Sequence, residues 1–269
     1  SIGAIACGLN GWWKGSEAIK AINDADPKIV VADEKRFERI ADLIKHPAFI
    51  FEEFNLKNYN YELDSFVRVE EDACACLLYT SGTTGTPKGV MTSHRSMIAN
   101  STLSMLQGAA VSQDSSAHGI DWSKAMPTRL LTSPLFHVSG LSAGVVTSLF
   151  AGSTTLVYEG RFLPEKVLEL ITKYNVTSWG GAVPTALKRV LDAAELKDLK
   201  ISSVLVVGGG GAPMPPKLIE RTKSVFPNSQ YSFGYGYGLT ESGAITIINW
   251  GENLINEPSS PGQTMPTIQ

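Results

Sequence analysis

The stretch LLYTSGTTGTPKGV, residues 77–90, carries the densest chemistry in the sequence. An apolar run leads into Thr80, Ser81, Gly82, Thr83, Thr84, Gly85, Thr86, Pro87, Lys88 and Gly89, and VMTS follows. Glycines let a backbone turn with its N–H groups facing inward, and such nests bind anions. The serine and threonines add hydroxyl donors, and Lys88 adds a positive charge. These residue types in this order are those of a loop that holds phosphate oxygens. The loop is not a Walker A loop, which needs Gly immediately before the lysine and Ser or Thr after it. Here Lys88 stands between Pro87 and Gly89, and a strand-like run follows where a Walker loop would open a helix. The bland alternative is a solvated Ser/Thr/Gly hairpin. The unbroken run of such residues ending in Pro-Lys-Gly weighs against it.

The chain around this loop has 269 residues, which allows one or two domains and a core that needs no disulfide or metal. Charged residues make up 18%, below a typical ~25%, so a highly charged disordered chain is excluded. The net charge of −3 leaves no basic excess for nucleic-acid binding. Three cysteines, Cys7, Cys74 and Cys76, cannot form a disulfide framework. With no secretion signal they point to a reducing, cytoplasmic compartment. Cys74 and Cys76 are two apart in a strand-like run and are expected on one face as small buried hydrophobes. No apolar stretch is long enough for a membrane span, which leaves peripheral association open. The apolar start at Ser1 and the Pro/Ser/Gly-rich tail 257–269 predict that sequence is missing at both ends.

Short β-rich runs alternate with longer helical segments. Strands are expected at 2–7, 28–33, 75–80, 89–93, 129–133, 154–158, 176–180, 203–208 and 230–236. Helices are expected at 16–23, 34–45, 94–107, 138–150, 164–174, 184–194 and 215–225, several with proline at the start. This order predicts an α/β architecture of mostly parallel sheets flanked by helices. Residues 108–128 are polar and aperiodic and are predicted to be an exposed loop.

YTSGTTGTPKGV resembles the phosphate-loop signature of the adenylate-forming superfamily, which includes the AMP-binding acyl-CoA synthetases and fatty-acid–CoA ligases. Further segments resemble that family and occur in its order. GAIACGLNGWWKGSEA (3–18) resembles the segment before the phosphate loop, in a form associated with fatty-acid ligases. PLFHVSG (134–140) resembles the acyl-pocket gate, VGGGGAPM (207–214) the adenine-side loop, YGYGLTES (235–242) the Tyr-Gly-x-Thr-Glu signature, and SPGQTMP (260–266) a later surface turn. The phosphate loop and YGLTE together are specific; one glycine cluster alone is weak.

The resemblance implies ATP-dependent activation of a carboxylic acid. The carboxylate attacks the α-phosphate of ATP, giving an acyl-adenylate and pyrophosphate; the thiol of coenzyme A then takes the acyl group. It also implies roles for single residues. Residues 80–86 and Lys88 hold the leaving phosphates. Gly211, Ala212 and Pro213 pass the adenine edge, Tyr237 stacks on adenine beside Gly238, Thr240 meets the α-phosphate, and Glu241 helps hold Mg²⁺. His137 borders the acyl carboxylate. Taken alone, Glu241 reads as a helix cap, Tyr237 as a core aromatic, and His137 as a structural histidine; His94 reads as a helix start. FHVSG offers no acid to pair with an α-ammonium, so an α-amino acid is not expected as substrate. SWGGAVPTALK (178–188) resembles the acyl-tunnel wall, with Gly180, Gly181 and Ala182 leaving room and Trp179 adding an apolar surface. These features favour a fatty or otherwise apolar acid, although the small residues also fit close helix–strand packing.

The family continues with a ribose-binding aspartate, a hinge and a small domain bearing the lysine used in adenylation. None follows Gln269, so 1–269 is expected to be a partial N-terminal AMP-binding domain, weakly active or inactive alone. A carrier-protein thiol as acceptor and a non-catalytic nucleotide-binding fragment are the alternatives. A generic P-loop phosphohydrolase is disfavoured by the missing Gly-Lys-Ser/Thr triplet.

Overall fold

Apolar strands followed by proline-led helices set the architecture of the larger part of the molecule. The computed structural model describes residues 2–53, 67–80, 87–123 and 126–266. The chain divides into two compact units, Ser1–Arg95 and Ser96–Gln269.

In the first unit, β1 (Ala6–Gly8) leads to helix α1 (Gly15–Ala25), β2 (Val30–Ala32), the short helix α2 (Glu34–Phe37) and β3 (Ala48–Ile50). β4 (Cys74–Thr80) and β5 (Lys88–Ser93) follow. The strand order is β1-β4-β5, with β1 parallel and β5 antiparallel to β4, while β2 and β3 pair separately in parallel. α1 starts in a capping box, with the Lys14 N–H donating to the Glu17 carboxylate at 2.8 Å. α2 ends at Phe37, well short of the expected 45, because the backbone tightens into three-residue bonds there: Ile40 N–H donates to Phe37 O and Leu43 N–H to Ile40 O. A bulge between Cys74 and Cys76 breaks the alternation that would have put both on one face. Burial pushes the Cys76 thiol up, as it does that of Cys7 on the neighbouring strand.

Helix α3 spans His94–Ala117 and continues into the second unit. His94 does begin it, but the loop expected from 108 onward is helical to 117. The buried positions of α3 include Asn100, Ser101 and Ser115 beside Leu103 and Val111, so its inward stripe carries no apolar period to read. Ser115 Oγ donates back to Val111 O at 2.7 Å, so the hydroxyl is satisfied inside the helix.

The second unit then runs β6 (Thr128–Leu131), α4 (Val138–Gly140), a π-helical stretch Leu141–Val146, α5 (Thr147–Phe150), β7 (Thr154–Val157), α6 (Pro164–Lys173), β8 (Ser178–Ala182), α7 (Pro184–Glu195), β9 (Val206–Gly210), α8 (Pro216–Val225), β10 (Gly234–Leu239), β11 (Ala244–Trp250), α9 (Gly251–Asn256) and β12 (Gln263–Thr264). Prolines open α6, α7 and α8, where a missing N–H costs least. The sheet order is β12-β11-β10-β9-β8-β6-β7. β7, β6, β8, β9 and β10 pair in parallel, and β11 and β12 extend the sheet in antiparallel fashion. One face is the core: Leu130, Trp179, Val207 and Phe233 are fully buried beneath α6, α7 and α8, with Ile171, Leu187 and Val190 above them. Among the described residues no helix is long and apolar enough to cross a membrane.

Candidate functional site

In the first unit the β4–β5 hairpin frames the predicted phosphate loop. Its register closes with Thr80 opposite Lys88. Ser81, Gly82, Thr83, Thr84, Gly85 and Thr86 lie outside the described residues. Lys88 is exposed at the mouth of the hairpin. Tyr79, one residue before the loop, is tied to α1: its hydroxyl lies 2.6 Å from Asp24 Oδ2 and 3.1 Å from Ala21 O. Burial and the neighbouring carboxylate hold this phenol far up its titration range, so it stays protonated. The end of β4, and with it Thr80, is thereby anchored to a helix.

In the second unit, the predicted residues come from four stretches far apart in sequence. The His137 turn follows β6; Gly181 and Ala182 end β8; Gly211, Ala212 and Pro213 follow β9; Tyr237 and Gly238 end β10, with Thr240 and Glu241 just beyond. Because β6, β8, β9 and β10 are adjacent and parallel, all four stretches emerge at one edge of the sheet. Open α/β sheets bind ligands outside the carboxyl ends of their strands. Gly210 and Gly236 pair in register, so the 211–213 turn and Tyr237 leave neighbouring strands side by side.

Tyr237 is 53% exposed, which removes the core-aromatic alternative. Opposite Gly238 the partner strand β11 bulges at Thr246, and any Cβ on Gly238 would overlap the Ala244 carbonyl oxygen. Thr240 and Glu241 occupy the turn into β11, which is closed by Gly243 N–H to Thr240 O (3.1 Å) and Ser242 Oγ to Leu239 O (2.9 Å). No helix starts at this turn, so Glu241 is not a helix cap. Its exposed carboxylate beside a half-buried threonine hydroxyl is a donor set that suits a hard, partly hydrated cation.

His137 is the N-cap of α4. Its Nδ1 accepts the Ser139 N–H at 3.3 Å and lies 2.9 Å from Ser139 Oγ. With Nδ1 engaged as acceptor, the proton of the neutral ring sits on Nε2. Protein packed around the ring lowers its pKa by desolvation and favours that neutral form. Gly140 must be glycine, since a Cβ would overlap the Pro134 carbonyl. The π-helical stretch after it is a feature often found at functional sites.

Trp179 does not line an opening. It is fully buried in the core, stands edge-on to Phe226, and its Nε1 donates to Thr132 Oγ1 at 3.1 Å. Alternation along the strands sends Gly180, Gly208, Gly210, Gly234 and Gly236 to the opposite face. Gly208 abuts Gly180: a Cβ on it would stand 3.5 Å from the Gly180 Cα. Arg129 of β6 reaches over this floor. It is the residue that sequence reasoning missed; a single cation inside the apolar run TRLLTS was the available signal.

An α/β unit whose candidate ligand residues gather at the carboxyl edge of a parallel sheet is a nucleotide-binding architecture. The chain belongs to the AMP-binding enzyme family, whose model matches residues 1–269. It is 30% identical to a 4-coumarate–CoA ligase from Pinus taeda over 258 residues, covering 92% of this chain and 46% of that protein. Among solved structures, it resembles o-succinylbenzoate CoA synthetase from Bacillus subtilis in complex with its acyl-adenylate intermediate, with a TM-score of 0.76, 27% identity and coverage of 98% of this chain and 62% of that one. The N-terminal domain of FACL13 from Mycobacterium tuberculosis matches with a TM-score of 0.77 and 26% identity over 98% of this chain and 63% of that one. The chain therefore spans about half the length of the curated relatives it matches.

Proposed function

We propose that the whole protein is an acid–thiol ligase that converts a carboxylic acid to an acyl-adenylate with ATP and then to a coenzyme A thioester. The observation that carries this reading is the convergence of the His137, 211–213, Tyr237 and Thr240–Glu241 segments at one sheet edge. Family membership supports it, as do the complex of a similar synthetase with its acyl-adenylate and the same enzyme's complex with ATP and magnesium ion.

In this reading the phosphate hairpin, with Thr80 and Lys88 at its base, binds the pyrophosphate that leaves. Tyr237, exposed on β10, offers its ring face to adenine beside the 211–213 turn. Thr240 donates to the α-phosphate, and Glu241 holds Mg²⁺, which neutralises phosphate charge when bound. The Nε2–H of His137 orients the acid's carboxylate. The carboxylate oxygen forms a bond to the α-phosphorus as pyrophosphate departs; the thiol sulfur then bonds the acyl carbon, AMP departs, and the thiol proton is released. Catalysis here is positioning and charge neutralisation. The thiol acceptor in this reading is coenzyme A, which the names of the 4-coumarate–CoA ligase and the o-succinylbenzoate CoA synthetase carry.

Acid-dependent exchange of labelled pyrophosphate into ATP by the full-length protein, followed by thioester formation on adding coenzyme A, tests the proposal. ATP hydrolysis independent of any acid would sink it.

A further inference from the structure

Arg129 is a cation on the interior of a sheet face. It is half-buried on β6, and its Nη1 donates to Ser148 Oγ at 3.3 Å. Among the described residues that is its only hydrogen-bond partner, and none of them offers it a carboxylate. Guanidinium has five N–H donors in a rigid fork that matches a carboxylate. A charge that packing partly withdraws from water gains by pairing, and arginines in such places are commonly paired. Desolvation lowers its pKa from the ordinary arginine value.

The surroundings fit a ligand group. The guanidinium lies over Gly180, where a Cβ would stand 3.3 Å from Nη2. Gly208 continues the floor beside Gly180, and both glycines are partly accessible, so the strip is open. Opposite, α5 supplies Ser148, which is 1% exposed and fixes one edge of the fork. His137 begins the helical segment that ends with α5. His137 and Ser148 are thus separated by about three helical turns, a span on the order of 15 Å.

We infer that Arg129 is a specificity-determining residue that receives a second acceptor group, a carboxylate at the far end of the acid from the one being activated. The acid then lies on the glycine floor with its reacting carboxylate toward His137 and its distal carboxylate on the Arg129 fork. This inference rests on the ligase reading and departs from the expectation of a fatty or otherwise apolar acid; Trp179, expected as an apolar wall, is buried in the core. A bidentate arginine–carboxylate contact in a desolvated site discriminates strongly, because the analogue without it leaves the guanidinium unpaired.

The test uses the full-length protein and two series of acids of matched length, plain monocarboxylic and ω-carboxylated, read by pyrophosphate exchange. The expected result is a preference for the ω-carboxylated acid of about ten- to a hundredfold in kcat/KM at one optimal length. Arg129→Met should remove or invert that preference while the best plain acid is still activated. Arg129→Lys should retain it in part. Equal or better turnover of the plain series by the wild type overturns the inference, whether or not the variants fold. Unchanged selectivity in a folded Arg129→Met protein overturns it too, leaving Arg129 as a tether for α5. Absence of exchange with every acid of both series instead overturns the ligase reading itself.

Discussion

The Nδ1 of His137 accepts the backbone N–H of Ser139 at 3.3 Å, so the histidine caps its own helix and presents Nε2–H outward. Packing lowers its pKa below the ordinary 6.5. As pH falls through that ordinary range, the unfolded chain takes up the proton before the folded one. The unfolded state then binds more protons, so stability rises with pH and is lost on acidification. The C2 proton resonance of His137 should titrate with a midpoint below 6.5. A midpoint at or above that value would show that packing does not disfavour the charged ring. In the full-length enzyme, His137→Ala should slow adenylation by about ten- to a hundredfold, the value of one lost hydrogen bond to a charged group.

Much of this geometry was legible beforehand, for reasons that can be named. Pro164, Pro184 and Pro216 marked helix starts because proline tolerates only the first turn. The run into Thr80 and out through Val90 gave the β4–β5 hairpin, because apolar strands flank a loop of turn residues. What stayed hidden depended on tertiary context. The second half of α3 buries Asn100, Ser101 and Ser115, so polar residues fill a core-facing stripe. The β10–β11 turn that frees Glu241 from capping exists because β11, unread in the sequence, returns antiparallel beside β10. Arg129 looked like an ordinary strand residue until the glycines of β8 and β9 were placed beneath it.

Gly238 and Gly108 form a contrasting pair for substitution. A Cβ at Gly238 would overlap the Ala244 carbonyl, whereas one at Gly108, inside α3, meets nothing within 4 Å. Gly238→Ala should destabilise by about 1–3 kcal/mol through forced backbone shifts. Gly108→Ala should stabilise by about 0.5–1 kcal/mol, since alanine loses less backbone entropy in a helix. Urea midpoints measure both, and a destabilising Gly108→Ala would argue that α3 is not helical at 108.

Lys88 sits opposite Thr80 at the base of the hairpin and is exposed. Its removal should leave folding stability within about 0.5 kcal/mol. In the full-length enzyme, Lys88→Ala should weaken binding of pyrophosphate by about ten- to a hundredfold, because charge-assisted contacts to phosphate are lost. Product-inhibition kinetics report this directly. Unchanged inhibition by pyrophosphate would take Lys88 out of the mechanism.

Glu241 tests the metal assignment separately. It occupies the same short turn as Thr240, and the turn is closed by hydrogen bonds from Ser242 and Gly243 that do not use the Glu241 side chain. Glu241→Gln keeps the size and the turn while removing the charge that a hard cation requires. The variant should fold as the wild type does, with an unshifted thermal midpoint. Its activity should then demand more magnesium, with the half-saturating concentration raised about tenfold or more, the value of one charged contact. A raised magnesium requirement with unchanged stability separates a ligand from a structural carboxylate. The same magnesium dependence in both proteins would assign the cation to other oxygens and leave Glu241 as a solvated turn residue.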